Sequence, residues 1–299
     1  MDAGQSGVRT RLDDVNLPEL PGVRTSLPIP PQLAAAARQA LAATPGADGL
    51  AVGSTALRSD ASAAELLSLV ADLGITQVAL AHDSVTSHLG ALHGRRGAIV
   101  AAGTGSVAFA IGATTVARVD GWGNIIGDAG SGFWIGRAGL DAALRAHDGR
   151  GPATALTAVA QQDFPDLEAA YLDIQNDPGY VRRVAAYAKT VAGLADSDAV
   201  CARIIDAAAT ELADSAVTAL RRVGEDAAAS TLVSVQGKIF LDRRLHERFD
   251  RLVHDAIPQA RSVPPQGDGL DGVSLLFGLP DDSPLRRHVS YAGTPGPHT

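Results

Sequence analysis

The sequence predicts an α/β protein on the basis of three observations. Residues 49–52 and 78–81 are short apolar runs, typical of parallel strands that are buried on both faces. Residues 61–73 lie between them and carry apolar side chains at helical spacing, which completes a strand–helix–strand unit. With 299 residues, 46% of them hydrophobic, the chain is near the size at which one core divides into two.

The second half of the chain adds a sheet and several helices. Three apolar segments separated by turn residues predict an antiparallel meander that opens a second domain. From Phe133 the pattern becomes helical, and Gly149 can supply a left-handed cap. The predicted strands are 98–102, 107–111, 114–119 and 231–235, and the further predicted helices are 200–223 and 241–253.

These elements divide the chain into two lobes and a tail. We expect an N-terminal lobe at 1–95 and a C-terminal lobe at 96–279. Residues 280–299 are polar and rich in proline, so we expect no fixed structure there.

Composition excludes several classes of function. A formal net charge of −8 gives no electrostatic reason to bind nucleic acid or an anionic membrane surface. The single cysteine, Cys201, cannot form an intrachain disulfide or complete a cysteine-rich metal site. No apolar run is long enough to span a membrane and no secretory leader is recognisable, so we expect a cytoplasmic protein.

The segment 121–136 is the most informative part of the sequence. It is rich in glycine and contains both tryptophans, Trp122 and Trp134, and one acidic side chain, Asp128. Such glycine density indicates a loop that approaches a ligand closely, and Asp128 suggests a polar ligand held by one carboxylate. The alternative is a tight turn in which Asp128 caps the helix that follows. For Trp134, which lies inside the predicted helix, packing in the core is the better interpretation.

Asp83 stands at the carboxyl end of the predicted strand 78–81. Open α/β sheets bind ligands at this edge, and a carboxylate there can take a proton from a hydroxyl nucleophile. Asp83 is followed by Ser84, Val85 and Thr86, so a helix cap is the alternative role.

Two further glycine-rich turns are candidates for phosphate binding, because backbone N–H groups on such turns form anion-binding concavities. They are 2–7 (DAGQSG) and 103–106 (GTGS). An ordinary hairpin turn is the alternative for 103–106. Asp2 is a lone carboxylate beside the first turn, which suits Mg²⁺ held together with phosphates and water.

In this order, with the Gln236-Gly237-Lys238 segment, these motifs resemble the N-acetylglucosamine kinase and BadF/BadG-type ATPase branch of the sugar kinase, Hsp70 and actin superfamily. The resemblance covers residues 1 to 278. It implies a two-domain actin-like ATPase fold, related to ribonuclease H, with an interdomain cleft. It also implies ATP and Mg²⁺ as cofactors and an amino sugar, N-acetylglucosamine or a glucosamine-like hexose, as the small-molecule substrate.

The resemblance carries over to individual residues. It implies that Asp83 is the general base and that Asp2 holds the metal. The ATP-binding positions that it implies are Gly4, Gln5, Ser6, Gly103, Thr104, Gly105, Ser106 and Gly237. The sugar-binding positions that it implies are Gly121, Trp122, Asp128 and Gly132.

The match departs from the family pattern near the start of the sequence. Only Met1 precedes Asp2, so we expect a truncated first strand, and Gln5 stands where a glycine is usual.

Two other functions stay open. One is a sugar or nucleotide sensor without efficient transfer. The other is a BadF-type ATPase activator, which the resemblance associates with a bridging iron–sulfur cluster and about two cysteines in each subunit. Assembly into a homodimer also stays open.

Overall fold

The structure is a computed structural model that describes residues 1–43, 46–58 and 60–294. The chain forms two compact units. Unit 1 comprises Met1–Ile99, Phe109–Ala117 and the chain from Pro264 onward, and unit 2 comprises Val100–Ala108 and Arg118–Val263.

The described chain contains both strands and helices, and they alternate from α1 to α3. The strands are β1 (Asp2–Ala3), β2 (Gly7–Arg9), β3 (Arg11–Leu12), β4 (Val15–Asn16), β5 (Leu20–Pro21), β6 (Gly49–Ser54), β7 (Gln77–His82), β8 (Gly97–Ala102), β9 (Ser106–Ile111), β10 (Val116–Asp120), β11 (Thr231–Gln236), β12 (Ala260–Ser262) and β13 (Val289–Gly293). The α-helices are α1 (Ile29–Ala43), α2 (Ala63–Val70), α3 (Asp83–Leu92), α4 (Gly132–His147), α5 (Leu156–Asp163), α6 (Ala170–Gln175), α7 (Tyr180–Leu194), α8 (Ala199–Arg222), α9 (Arg243–Ala256) and α10 (Gly269–Ser274).

Unit 1 is built on a six-stranded sheet with the order β13-β7-β6-β1-β2-β5. β1, β6 and β7 are parallel, with Asp2 opposite Gly53 and Gly53 opposite Ala81. Their carboxyl ends therefore lie at one edge of the sheet, which is where Asp83 begins α3. β1 has two residues, and it still occupies an interior position between β6 and β2.

The segment after Pro264 returns to unit 1 because α10 packs closely on α3. A Cβ built on Gly90 would lie 1.8 Å from the carbonyl oxygen of Asp268, and one on Gly272 would lie 1.8 Å from that of Thr86. Only glycine permits this approach. The sequence predicts residues 264–279 in the second lobe, whereas contacts in the structure group them with unit 1.

The expectation of a tail without fixed structure is wrong for the described residues after 283. Residues 284–288 form a 3₁₀ turn, and β13 pairs antiparallel with β7, with Tyr291 opposite Ala79. Leu285 and Val289 are buried, and the backbone N–H of Ala63 donates to Ser290 Oγ at 3.0 Å. Composition predicts no fixed structure here because the segment is rich in proline and charge, and the few apolar side chains that anchor it do not change that average. Residues 295–299 lie outside the described residues.

Unit 2 contains most of the second sheet, whose order is β10-β9-β8-β11-β12, together with α4 to α9. The predicted long amphipathic helix is confirmed as α8, which buries Ile205, Leu212 and Leu220. α9 begins at Arg243 because the Asp242 carboxylate caps it by accepting from the N–H of Leu245 at 2.8 Å.

Within the described residues, no helix combines the length and the apolar character that a membrane crossing requires.

Candidate active site

In unit 1, Asp2 is a partly buried carboxylate paired with an arginine. Arg9 donates to Asp2 Oδ2 from Nη2 at 2.5 Å and from Nε at 3.2 Å, and the Asp2 side chain is 18% exposed. Burial raises the pKa of Asp2, Arg9 opposes this shift, and the nearby negative charge of Asp83 raises the pKa further. Asp2 and Asp83 therefore interact as like charges.

Arg9 also pairs with Asp268, immediately before α10. The Asp268 carboxylate accepts from the N–H groups of Leu270 and Asp271, and Asp271 accepts from the N–H of Asp268 at 2.8 Å, which completes a capping box. Arg11 donates to Asp271 at 2.9 Å. No local pattern predicts this network, because the two arginines lie about 260 residues before the aspartates at the start of α10 that they bind.

Asp83 is the first residue of α3, and the neighbouring His82 is the N-cap. His82 Nδ1 accepts from the N–H of Ser84 at 3.2 Å and lies 2.8 Å from Asp83 Oδ1. The hydroxyl of Thr86 donates to the backbone carbonyl of Asp83 at 3.0 Å. Since His82 performs the capping, the helix-cap role that the sequence left open for Asp83 is not the one observed.

Gly4, Gln5 and Ser6 form the turn between β1 and β2. The N–H of Gly4 donates to the carbonyl of Gly7 at 3.0 Å, and Gln5 and Ser6 are exposed. The backbone of this turn is also packed against Gly22, where a Cβ would lie 2.1 Å from the carbonyl oxygen of Gln5.

In unit 2, residues 103–106 form the turn between β8 and β9, and this turn packs on the start of α4. The N–H of Gly132 donates to the carbonyl of Gly103 at 2.8 Å, and the N–H of Phe133 donates to that of Thr104 at 3.1 Å. Ser131 is the N-cap of α4 and accepts from the N–H of Trp134 at 3.2 Å. Asp128 therefore does not cap this helix.

The Asp128 carboxylate lies against the 103–106 turn. A Cβ on Gly105 would lie 2.5 Å from Asp128 Oδ2, and the N–H of Gly123 donates to Oδ1 at 3.2 Å. Burial raises the pKa of Asp128, hydrogen bonding by Gly123 opposes the shift, and the carboxylate of Asp120 adds to it. Two motifs separated by more than twenty residues thus meet within one unit.

Gly237 lies against the beginning of the same turn. Its φ is +102°, and a Cβ there would lie 2.1 Å from the carbonyl oxygen of Ala102. No other residue fits this position without moving the backbone. Gly237, which the resemblance implies as an ATP-binding position, is therefore adjacent to the predicted phosphate turn.

The loop at 120–132 also presents an exposed aromatic ring. Trp122 is 63% exposed, and the guanidinium of Arg118 stands 5.0 Å from the centre of its ring. Gly121 has a φ of +72° and turns the chain directly after β10. Asp120 precedes Gly121 and accepts hydrogen bonds from backbone N–H groups of this loop. The sequence does not predict this role, because nothing in the local pattern distinguishes Asp120 from other surface aspartates.

The described part of the chain holds no group of three or more His, Cys, Asp or Glu side chains arranged to bind a metal ion. A single carboxylate such as Asp2 nevertheless suits Mg²⁺ that arrives bound to nucleotide phosphates, because Mg²⁺ often binds through one or two protein carboxylates, substrate phosphates and water. The negative charge of Asp83 acts on Asp2 alongside the positive charge of Arg9, so a cation bound by Asp2 would interact favourably with Asp83 as well.

The model of the BadF/BadG/BcrA/BcrD ATPase family matches residues 53–276. A curated relative, the N-acetylmuramic acid/N-acetylglucosamine kinase of Clostridium acetobutylicum, is 28% identical over 209 residues, which make up 67% of each chain.

Two solved structures resemble this fold. A candidate N-acetylglucosamine kinase from Chromobacterium violaceum has 24% identity and a TM-score of 0.67, over 92% of this chain and 96% of that one. A candidate N-acetylglucosamine kinase from Porphyromonas gingivalis has 16% identity and a TM-score of 0.66, over 93% of this chain and 98% of that one. The α/β, actin-like fold predicted from the sequence is confirmed.

Proposed function

This chain belongs to the BadF/BadG/BcrA/BcrD ATPase family, and we propose that it is an ATP-dependent kinase that phosphorylates a hydroxyl group of an amino sugar. The observation that carries the proposal is the contact between Asp128 and the 103–106 turn within unit 2. A carboxylate suited to sugar hydroxyls and a turn suited to phosphate are adjacent there. The curated relative is named for N-acetylmuramic acid and N-acetylglucosamine, which supports an amino sugar such as N-acetylglucosamine as the substrate.

Unit 2 supplies the sugar contacts in this proposal. Asp128 accepts hydrogen bonds from ring hydroxyls, and the exposed face of Trp122 covers an apolar face of the sugar. Gly121 and Gly132 bring the backbone close to the substrate, and Ser131 fixes the start of α4 behind them.

Asp83 takes the proton of the attacking hydroxyl. A sugar hydroxyl is a poor nucleophile, and a positioned carboxylate contributes a rate factor of about 10²–10⁴ by removing its proton. Phosphoryl transfer otherwise requires mainly positioning and charge stabilisation. The Asp83 carboxylate is not needed as the helix cap, because His82 caps α3.

Each unit carries one proposed phosphate-binding turn for the nucleotide. Gly4, Gln5 and Ser6 supply one phosphate turn and Gly103–Ser106 the other, while Gly237 belongs to the adenosine site. Mg²⁺ held by Asp2 together with the phosphates would neutralise charge on the transferred group. Arg9 keeps the Asp2 carboxylate in place.

An activator that depends on an iron–sulfur cluster is a weaker candidate. Cys201 is the single cysteine of the sequence, and it is buried in α8. Burial raises the pKa of its thiol to about 11, so the thiolate that a metal requires is disfavoured.

The test is a coupled ADP-release assay with ATP, Mg²⁺ and a panel of N-acetylglucosamine, N-acetylmuramic acid, glucosamine and glucose. The proposal expects ADP release that depends on an amino sugar. Asp128→Ala should weaken sugar affinity, because a site built to bind hydroxyls loses its acceptor, whereas Asp214→Ala on the exposed face of α8 should change nothing.

If the protein binds sugar and ATP but forms no phosphorylated product, it functions as a sensor and not as a kinase. No stimulation by any sugar and no sugar binding would contradict the proposal outright.

A further inference from the structure

Asp120 occupies an unusual backbone position at the end of β10. Its φ is +60°, in the left-handed region that favours glycine, and Asp128 at the other end of the same loop has a φ of +55°. A non-glycine residue adopts this conformation at a cost in conformational free energy, so its side chain must compensate.

The compensation comes from hydrogen bonds that close the loop. Asp120 Oδ1 accepts from the N–H of Asp128 at 2.8 Å, and Oδ2 accepts from the N–H of Ala129 at 2.8 Å. The N–H of Trp122 approaches Oδ1 at 3.4 Å. One carboxylate therefore binds both the beginning and the end of the loop.

The space around this carboxylate is filled. A Cβ on Gly127 would lie 2.5 Å from Asp120 Oδ1 and 2.6 Å from the Cβ of Trp122. The loop thus folds around the Asp120 side chain, and Gly127 is the residue that allows it to do so.

The same hydrogen bonds fix the part of the chain that carries Asp128. With its own N–H and that of Ala129 bound to Asp120, the backbone of Asp128 cannot rotate independently. Ala129 is also tied to the 103–106 turn, because Ser106 Oγ donates to its carbonyl at 2.8 Å. Asp120 is therefore connected through one residue to both candidate ligand sites of unit 2.

We propose that Asp120 is a positioning residue that holds the Asp128 carboxylate in the orientation needed to bind the sugar. This inference rests on the proposed kinase function. It concerns sugar affinity in particular, because the Asp120 side chain bonds to the loop that carries Asp128.

The test compares Asp120→Gly, Asp120→Asn and the control Asp214→Asn. Glycine suits the left-handed backbone but removes both acceptors, so the sugar KM should rise at least about tenfold while kcat and the ATP KM stay close to wild type. Asparagine retains one acceptor oxygen and tolerates the backbone conformation, so its effect should be smaller. Asp214→Asn should behave as wild type.

A double-variant cycle separates positioning from general destabilisation. Asp128→Asn alone and Asp120→Gly with Asp128→Asn should have the same sugar KM, because Asp120 acts through Asp128. Thermal unfolding of each variant identifies any that fails to fold. If Asp120→Gly does not fold, Asp120→Asn takes its place in the cycle with Asp128→Asn.

Wild-type turnover with an unchanged sugar KM in Asp120→Gly would overturn this inference and leave the kinase function intact. A fall in kcat without a change in sugar affinity, or additive effects in the double variant, would also overturn it. A wild-type protein that neither binds nor phosphorylates any sugar of the panel would overturn both proposals.

Discussion

Gly105 lies so close to Asp128 that a Cβ built on Gly105 would stand 2.5 Å from Asp128 Oδ2. This contact joins the predicted phosphate turn to the predicted sugar loop inside unit 2. A larger side chain at position 105 would therefore displace the Asp128 carboxylate while leaving Asp128 itself unchanged.

Gly105→Ala should weaken sugar binding, because the new methyl group displaces the Asp128 carboxylate. We expect the sugar KM to rise at least about tenfold, as for the loss of a hydrogen-bond acceptor in a polar site. The matched control is Gly103→Ala in the same turn, where a Cβ meets no atom within 4 Å. Equal sugar KM values for the two variants would show that the contact has no bearing on the substrate.

Sugar affinity should depend on the ionisation of Asp128. Burial raises the pKa of this carboxyl above the ordinary value; the charge of Asp120 adds to the shift, and Gly123 and Arg118 oppose it. An ionised carboxylate is the better acceptor, so sugar affinity should fall as the pH drops through this raised pKa, beginning at a higher pH than for an ordinary aspartate. Calorimetric titration of the sugar between pH 4 and 7 measures this, and Asp128→Asn should flatten the profile. A flat profile in the wild type would contradict the prediction.

Gly237→Ala should destabilise unit 2 and weaken ATP binding. Alanine is strained at a φ of +102°, and its Cβ would lie 2.1 Å from the carbonyl oxygen of Ala102. We expect a loss of at least about 1 kcal/mol in the free energy of unfolding. Gly193→Ala on α7, where a Cβ meets nothing within 4 Å, should be neutral or stabilising by up to about 1 kcal/mol. Denaturant unfolding and nucleotide titration distinguish the two variants, and a Gly237→Ala protein as stable as Gly193→Ala would refute the steric argument.

His88 should make the protein sensitive to acid. Its side chain is buried on α3 with Nε2 3.2 Å from the carbonyl oxygen of Gly97, and burial lowers its pKa from 6.5 to about 4. Between these two pH values the unfolded chain binds a proton that the folded protein does not, so stability falls as the pH drops from 6.5 towards 4, by up to roughly 3 kcal/mol. His88→Gln keeps a donor for Gly97 and should reduce this slope, whereas His254→Gln on the exposed side of α9 should not. Identical pH profiles of the melting temperature for His88→Gln and wild type would rule out this role.

Much of the fold was predictable because its periodicities are local. The strand–helix–strand unit ending at Asp83, the long helix α8 and the strand before Gly237 all follow from apolar spacing, and the structure confirms them. The family resemblance is also confirmed, since it depended on the order and chemistry of several motifs.

The remainder depended on contacts between distant parts of the chain. The packing of Gly90 against Asp268 and the pairing of β13 with β7 bring the end of the described chain into unit 1, and no local pattern encodes either. At the candidate site, the residue types of Asp83 and Asp128 pointed to their proposed roles. The cap roles of His82 and Ser131 and the loop-closing role of Asp120 required backbone geometry.

The most direct test of the central claim is to identify the product formed from ATP, Mg²⁺ and N-acetylglucosamine by wild type, Asp83→Asn and the exposed control Glu65→Gln. Mass spectrometry should detect a sugar monophosphate in amounts equal to the ADP released. Asp83→Asn should bind both substrates normally but form product at least about a hundredfold more slowly, while Glu65→Gln should match wild type. ADP released without any phosphorylated sugar, or near-normal product formation by Asp83→Asn, would contradict the account.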